Sequence, residues 1–289
     1  MFFSFRINRK LTLLLITVAI VTLVVCSGAV SQANATNVKD GIKLPILMYH
    51  SMLMDQKYQG KYVISPDTFE NDLIYLKKNG YTTIVMQNLL DYVDKKSPLP
   101  PKPILLTFDD GYYNNYLYAY PLIKKYNAKI VISPIGYYTD LFSESNPDHP
   151  NYSHCTWDEI NEMMDSGLVE FQNHTYNLHA SKGVRVGAGK LKRESTASYA
   201  EVLSQDLGRL QQEMKENTGY SPTTFVYPFG VVSDESISII KNLGFRASMT
   251  CMAKMNYITT DPQCLYKLGR YLRPMGASSD RYFRGIGLN

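Results

Sequence analysis

The chain has 289 residues, of which 45% are hydrophobic and 19% are charged, and its formal net charge is +4. This length, with an ordinary composition, fits one domain of the α/β-barrel size or two small domains, and no internal repeat or low-complexity segment stands out. Arg6, Arg9 and Lys10 supply three of the positive charges. The rest of the chain is therefore nearly neutral, which argues against a nucleic-acid-binding protein.

The N-terminal segment has the pattern of a secretory signal. Its first ten residues carry three basic side chains and no acidic one, residues 11–25 are apolar or threonine, and residues 33–35 are small enough for cleavage. Residues 11–30 are also just long enough to cross a bilayer uncleaved. We therefore predict a signal peptide or membrane anchor at residues 1–35, one folded domain at residues 36–289, and an exported protein.

After the signal, predicted strands and helices alternate along the chain. Repeated strand-helix units imply parallel strands joined by helical crossovers, and six to eight units in one run favour a barrel over an open sheet. The predicted strands are residues 44–49, 81–86, 104–107, 128–133, 168–172, 223–227 and 245–249. The predicted helices begin at Pro66, Tyr116, Trp157, Ser198 and Ser233.

Polar or turn residues follow several of these strands. His50, the pair Asp109 and Asp110, His174 and Phe229 each come just after a predicted strand. In a barrel of this type the reactive side chains lie at the carboxyl ends of the strands, so we expect these residues to converge on one face. Two adjacent carboxylates raise each other's pKa, which favours one that binds metal and one that handles protons. Asp-Asp-Gly by itself would also fit a simple turn.

His174 and His179 are five residues apart, whereas a helical zinc pair is four apart. A loop must therefore bring the two imidazoles together. With Asp110 they would form a set of two histidines and one carboxylate with an open coordination position, as in hydrolytic zinc enzymes. Zinc, cobalt and nickel all accept this set. His149 and His154 lie in a polar segment, and we expect both to be exposed to solvent.

Three motifs resemble the polysaccharide deacetylase family, the NodB-homology domain of carbohydrate esterase family 4. They are TFDDG at residues 107–111, HTYNLH at residues 174–179 and YPFG at residues 227–230. The similarity extends from about residue 44 to residue 273 and implies a single catalytic domain with a distorted (β/α)7–8 barrel. The segment PILMYHSM at residues 45–52 looks like the circularly permuted branch that includes the poly-N-acetylglucosamine deacetylases.

The resemblance implies a role for each candidate residue. Asp109 would be the general base and His50 the general acid. One divalent metal ion, zinc in the first instance, would be held by Asp110, His174 and His179. The backbone N–H of Phe229 would stabilise the oxyanion.

One family feature is missing from the third motif. Many members have an arginine two residues before its proline, where this chain has Val226, and Arg270 is a candidate replacement. Tyrosine is abundant, with 23 residues, and its ring suits stacking on sugars. We take Tyr113 and Tyr176, which lie beside the predicted ligands in sequence, as candidate substrate contacts.

The leading interpretation is a metal-dependent N-deacetylase of the cell surface or cell wall. Its partner would be an acetylated glycan containing N-acetylglucosamine, either peptidoglycan or poly-N-acetylglucosamine, with no nucleic acid. Chitin oligomers and acetylated xylan fit the same residues. A metal phosphoesterase and a glycan-binding protein of low activity are the competing classes. The oligomeric state and a Cys251–Cys264 disulfide stay open.

A segment with five basic residues follows the second histidine of the HTYNLH motif. It spans residues 180–198 and contains Lys182, Arg185, Lys190, Lys192 and Arg193. We predict a mobile basic loop near the mouth of the site, which either steers an anionic glycan toward the metal or has no role.

Overall fold

The computed structural model describes residues 41–145 and 148–289. The predicted signal or membrane anchor at residues 1–35 lies outside the described part of the chain. Lys43–Asn289 forms one compact unit. None of the helices in the described ranges combines the length and the apolar character needed to cross a membrane.

The described helices are short, apart from one that spans 23 residues. They are α1 (Pro66–Lys78), α2 (Met86–Lys95), α3 (Tyr120–Tyr126), α4 (Gly136–Ser145), α5 (Trp157–Asp165), α6 (Thr196–Thr218), α7 (Ser236–Asn242) and α8 (Ser279–Gly285). The strands are β1 (Ile42–Leu44), β2 (Ile46–Tyr49), β3 (Ser51–Met52), β4 (Val63–Ile64), β5 (Thr82–Ile84), β6 (Pro103–Asp110), β7 (Ile130–Pro134), β8 (Val169–Phe171), β9 (Thr224–Val226), β10 (Ala247–Met249), β11 (Asn256–Ile258) and β12 (Tyr271–Leu272).

Seven parallel strands follow one another in a ring. β12 pairs with β2, β2 with β6, β6 with β7 and β7 with β8. A single bridge from Asn173 to Phe225 leads on to β9, and β9 pairs with β10. A second bridge from Met249 to Leu268 returns to the segment that enters β12. The expected parallel α/β architecture is therefore confirmed, and the barrel is distorted where single bridges replace ladders.

Local sequence signals explain where several helices begin. The Ser65 hydroxyl accepts a hydrogen bond from the Thr68 amide at 3.0 Å and caps α1. Thr156 and Glu159 form the predicted capping box of α5. The helix α6 buries Tyr199, Leu203, Leu207, Leu210 and Met214 at intervals of three and four residues, which places one face against the barrel.

The central strand β6 is longer than its apolar run predicts. Asp109 and Asp110 are its last two residues, in register with Ser133 and Pro134 of β7, rather than the start of a loop. All eight residues of β6 are buried. The strand therefore carries both carboxylates into the interior of the fold, where their charges need partners.

Candidate active site

The carboxyl ends of the barrel strands form the floor of a cavity of about 410 Å³. His50, Asp109, Asp110, His174 and Phe229, each expected at a strand end, all line it. The structure thus brings the predicted residues of four strands to one place. The other lining residues are Met48, Ser51, Lys61, Tyr62, Val63, Tyr112, His179, Cys251 and Leu272.

Asp110, His174 and His179 bring three ligand atoms together. The Asp110 Oδ1 atom lies 3.2 Å from His179 Nε2 and 3.5 Å from His174 Nε2. All three atoms lie within 4.8 Å of one another. His174 Nδ1 contacts the Val226 carbonyl at 2.8 Å, and since a carbonyl only accepts, Nδ1 carries the proton. In the neutral ring, Nε2 is then free to bind a metal.

The chemistry of these atoms fits a divalent cation. Asp110 Oδ1 is buried and has no hydrogen-bond partner among the described protein atoms. Burial raises the pKa of Asp110, but the adjacent His174 and His179 outweigh it and hold that pKa well below its usual value. A buried, ionised and unpaired carboxylate oxygen between two imidazoles is a site that a cation would satisfy.

Asp109 is held by an arginine from the far end of the chain. Arg270 Nη1 donates to Asp109 Oδ1 at 2.6 Å and Nη2 donates to Oδ2 at 2.8 Å. Arg270 is fully buried and also donates to the Thr107 hydroxyl at 3.1 Å and the Thr250 carbonyl at 3.0 Å. The arginine contact missing at Val226 is therefore made by Arg270.

The charge of Arg270 decides the protonation state of Asp109. Burial raises the pKa of Asp109, but the charges of Arg270 and His174 and the hydrogen bonds from Arg270 outweigh burial and lower the pKa. Asp109 is therefore ionised at neutral pH. Its two oxygens are aligned by a planar guanidinium that is itself fixed by Thr107 and Thr250.

His50 precedes Asp109 and the candidate metal ligands in the sequence, but it lines the same cavity. Its Nε2 atom is 3.9 Å from Asp109 Oδ2, and its ring lies edge-on to Tyr62 with a centroid distance of 5.0 Å. The Asn115 side-chain Nδ2 atom donates to the His50 carbonyl at 2.8 Å and fixes the backbone. Burial lowers the pKa of His50, although Asp109 and Asp110 oppose that shift. The net effect is a lowered pKa, so the free imidazole is mostly neutral at neutral pH and must take up a proton before it can donate one.

Phe229 forms part of the cavity mouth through an unusual turn. It follows β9 in the short helical turn Pro228–Gly230, with a φ of +56°. Its ring is 42% exposed and its centroid lies 4.5 Å from that of His179. A Cβ atom at Gly230, where φ is +69°, would lie 2.8 Å from the Cys251 backbone nitrogen. Only glycine allows this close approach of the two strand ends.

The two tyrosines expected to contact substrate do not line the cavity. Tyr176 is 8% exposed, donates its hydroxyl hydrogen to Asp140 at 3.1 Å, and has Arg209 3.5 Å above its ring. Tyr113 is half-buried, with its ring beside that of Tyr116. Neighbours along a turn point in different directions, so closeness to the ligands in sequence does not bring these rings to the cavity, and their contact with substrate stays a prediction. Tyr112, Tyr62 and Lys61 line the cavity instead.

His154, expected to be exposed, is 7% exposed. An antiparallel bridge pairs it with Tyr112, directly after the Asp-Asp-Gly turn, and its Nδ1 atom lies 2.9 Å from the Asp110 carbonyl oxygen. His149 is exposed, as expected. The prediction for His154 was wrong because a long-range strand pairing, which leaves no local sequence signal, folds the segment beneath the site.

The basic segment at residues 180–198 is anchored rather than free. Arg185 pairs with Glu194, with one nitrogen–oxygen distance of 3.0 Å, and Lys190 pairs with Glu235. The Ala188 side chain between them is fully buried. Two of the five predicted steering charges are therefore neutralised.

Cys155, Cys251 and Cys264 are free thiols, so no Cys251–Cys264 disulfide forms.

The strand ends therefore carry a set of one aspartate and two histidines that could hold a metal ion, and comparison with known sequences gives the family. The chain belongs to the polysaccharide deacetylase family, whose sequence model matches residues 96–248.

Two curated relatives are poly-beta-1,6-N-acetyl-D-glucosamine N-deacetylases. The protein of Staphylococcus aureus strain MSSA476 is 30% identical over 187 residues, which cover 64% of this chain and 60% of the relative. That of Escherichia coli K12 is 25% identical over 213 residues, which cover 66% of this chain and 31% of the relative. The chain thus spans less than two thirds of either relative.

Solved structures show the same fold. The de-N-acetylase from Aggregatibacter actinomycetemcomitans is 30% identical, with a TM-score of 0.70, and the match covers 84% of this chain and all of that one. IcaB from Ammonifex degensii is 29% identical, with a TM-score of 0.67 and coverage of 82% and 93%.

Proposed function

We propose that this protein is a metal-dependent hydrolase that removes acetyl groups from a polysaccharide containing N-acetylglucosamine at the cell surface. The observation that carries the proposal is that a candidate metal site and an ionised carboxylate lie next to each other in one cavity. The Asp110, His174 and His179 ligand atoms converge beside Asp109, which Arg270 keeps ionised. The names of the curated relatives favour poly-β-1,6-N-acetylglucosamine over peptidoglycan as the substrate.

Asp110, His174 and His179 would hold one divalent ion, zinc in the first instance, with cobalt and nickel as alternatives. When bound, such an ion polarises a carbonyl oxygen and lowers the pKa of water. The chain contributes the fixed geometry of the ligands. The Val226 carbonyl holds the His174 ring in the orientation and tautomer that expose Nε2.

Asp109 and His50 would exchange the protons of the reaction. Asp109 is ionised and therefore able to accept a proton from the attacking water. Arg270 occupies both carboxylate oxygens and sets the plane in which the proton is accepted. His50, 3.9 Å away, would donate a proton to the leaving amine nitrogen, which must be protonated to depart.

The cavity wall would position the sugar. Phe229, Tyr62 and Tyr112 present aromatic surface to the cavity, which suits the apolar faces of pyranose rings. The backbone N–H of Phe229 would stabilise the negative charge that develops on the acetyl oxygen during attack. Export through the N-terminal segment, with release or membrane anchoring, would bring this cavity to extracellular glycan.

Acetate release from a panel of purified glycans tests the proposal. The panel contains acetylated β-1,6-linked glucosamine oligomers, peptidoglycan fragments, chitin oligomers and acetylated xylan. We expect release from the β-1,6 oligomers, loss after chelation, and recovery with added zinc, cobalt or nickel. Asp109→Asn is the matched inactive control, since it keeps the side-chain shape. Glycan binding without acetate release by any metal-loaded sample would instead indicate a binding protein, and phosphate release from an ester would indicate a phosphoesterase.

A further inference from the structure

The metal ligand Asp110 has a backbone conformation that is uncommon for a residue with a side chain. Its φ is +70°, and Gly111 follows with the same value. L-residues avoid this left-handed region because the Cβ atom approaches the backbone, and a residue kept there needs support from its surroundings. A Cβ atom at Gly111 would lie 2.7 Å from the Pro134 Cβ atom, so the turn is pressed against the end of β7.

The support comes from a segment distant in sequence. The Cys155 amide donates to the Gly111 carbonyl at 2.8 Å, and the Tyr113 amide donates to the Ser153 carbonyl at 2.8 Å. Between these two bonds, His154 Nδ1 lies 2.9 Å from the Asp110 carbonyl oxygen. A carbonyl only accepts, so Nδ1 is the donor. The Ile135 amide also donates to this carbonyl, at the longer distance of 3.4 Å.

Aromatic packing holds the His154 ring in place. The ring stacks on Tyr138 at a centroid distance of 4.5 Å, on Phe142 at 5.6 Å, and lies 4.8 Å from Tyr112. With 7% of its surface exposed, the ring has little freedom to turn away from the carbonyl. Packing on several sides therefore holds Nδ1 in position to donate to the Asp110 carbonyl.

We propose that His154 is a positioning residue for the metal site, which holds the Asp110 peptide in its left-handed conformation through the Nδ1 hydrogen bond and so aims Oδ1 between the two imidazoles. The proposal rests on the metal-dependent function above. The proposal requires a hydrogen-bond donor at the position of Nδ1. An asparagine can present its amide nitrogen near the position of Nδ1, whereas glutamine places it one bond farther out, and phenylalanine keeps the ring without a donor.

Zinc affinity of the metal-free full chain tests the proposal through competition with a chromophoric chelator. We expect His154→Phe and His154→Gln to weaken zinc binding by about 10–100-fold, as removal of outer-shell partners does, and His154→Asn to stay near the wild-type value. Phe142→Leu is the packing control, since it removes the most distant of the three neighbouring rings and leaves Tyr138 and Tyr112 to hold the imidazole at the carbonyl. It should lower thermal stability without weakening zinc.

The outcomes separate this inference from the proposed function. Wild type that binds zinc, with His154→Phe binding equally tightly, overturns the role of His154 alone. Equal losses in His154→Asn and His154→Gln would show that the fit of the ring, and not the donor, matters, and would also overturn it. Wild type that takes up no zinc, cobalt or nickel would overturn the proposed function and this inference with it. If His154→Phe does not fold, the Asn and Gln variants decide.

Discussion

Replacement of Arg270 by methionine should damage both the stability of the protein and the chemistry of Asp109. The substitution keeps an unbranched side chain but removes the guanidinium that donates to both Asp109 oxygens at 2.6 and 2.8 Å. Arg270 is fully buried and Asp109 is 2% exposed, so water does not replace the lost bonds. Removal of one partner from a buried ion pair typically costs about 3–5 kcal/mol, because the other charge is left unpaired.

Thermal unfolding of the metal-free protein measures this cost. For a domain of this size, each kcal/mol lowers Tm by about 2–4 °C, which predicts a fall of roughly 6–20 °C for Arg270→Met. The Tm of Arg270→Lys should lie between those of Arg270→Met and wild type, because an ammonium keeps the charge but not the two parallel hydrogen bonds. The matched control is the double variant with Asp109→Asn. A neutral amide needs no counter-charge, so adding Asp109→Asn to Arg270→Met should lower the stability much less than Arg270→Met lowers that of wild type.

The pH dependence has a definite sign. In wild type the folded pKa of Asp109 is lowered, because Arg270 and its neighbours outweigh the opposing effect of burial. That pairing contributes stability above the unfolded pKa, and the contribution is lost as pH falls through the folded value. Without Arg270, burial should raise the pKa of Asp109 above its unfolded value, and stability is then lost as pH rises. The Tm difference between wild type and variant should therefore be larger at pH 7 than near pH 4.

Activity should follow the same shift. The acid limb of kcat/KM should move to higher pH in Arg270→Met, because a base with a raised pKa is protonated over more of the range. A Tm within about 2 °C of wild type, a difference that does not shrink at low pH, or an unmoved acid limb would refute the argument that Arg270 acts through Asp109.

Three further predictions concern neighbouring positions. Asp110→Asn should lose tight metal binding, whereas Asp109→Asn should keep its metal and lose turnover; metal analysis of the purified variants decides, and metal loss in Asp109→Asn would place that residue among the ligands. His50→Ala should keep its metal, lower kcat and remove the high-pH limb of the rate profile, since the proton donor is gone; an unchanged limb would assign the donor elsewhere. Gly111→Ala should destabilise the protein far more than Gly80→Ala, because both have positive φ but only at Gly111 would the new Cβ atom collide with β7; equal Tm values for the two variants would contradict the close approach.

Local patterns in the sequence were sufficient to predict the architecture. Short apolar runs separated by amphipathic stretches predict alternating strands and helices, and right-handed crossovers then require parallel strands. Two capping signals, at Ser65 and Thr156, correctly placed helix starts, because a cap involves residues only three apart. The same reasoning missed α4 and α8, although Ser278 caps α8 in the same local way.

The positions of the ligand candidates were also predictable, since the carboxyl ends of parallel strands must meet at one end of a barrel. This geometry places Asp110 of β6 beside His174, which follows β8, without any knowledge of side-chain contacts. Their roles in catalysis remain predictions. The metal identity and the glycan stay open because related ligand sets accept several ions, and loops rather than the metal centre select the substrate.

Only the tertiary structure decided which side chains surround the two carboxylates. Arg270 reaches Asp109 across 161 positions of sequence, and His154 reaches the Asp110 carbonyl across 44. Tyr176 follows His174 by two residues yet turns away to Asp140. Sequence patterns report periodicity and local capping, whereas these contacts depend on which strand ends become neighbours in the folded chain. The electrostatic environment of the site is therefore a property of the assembled strands and not of any one segment.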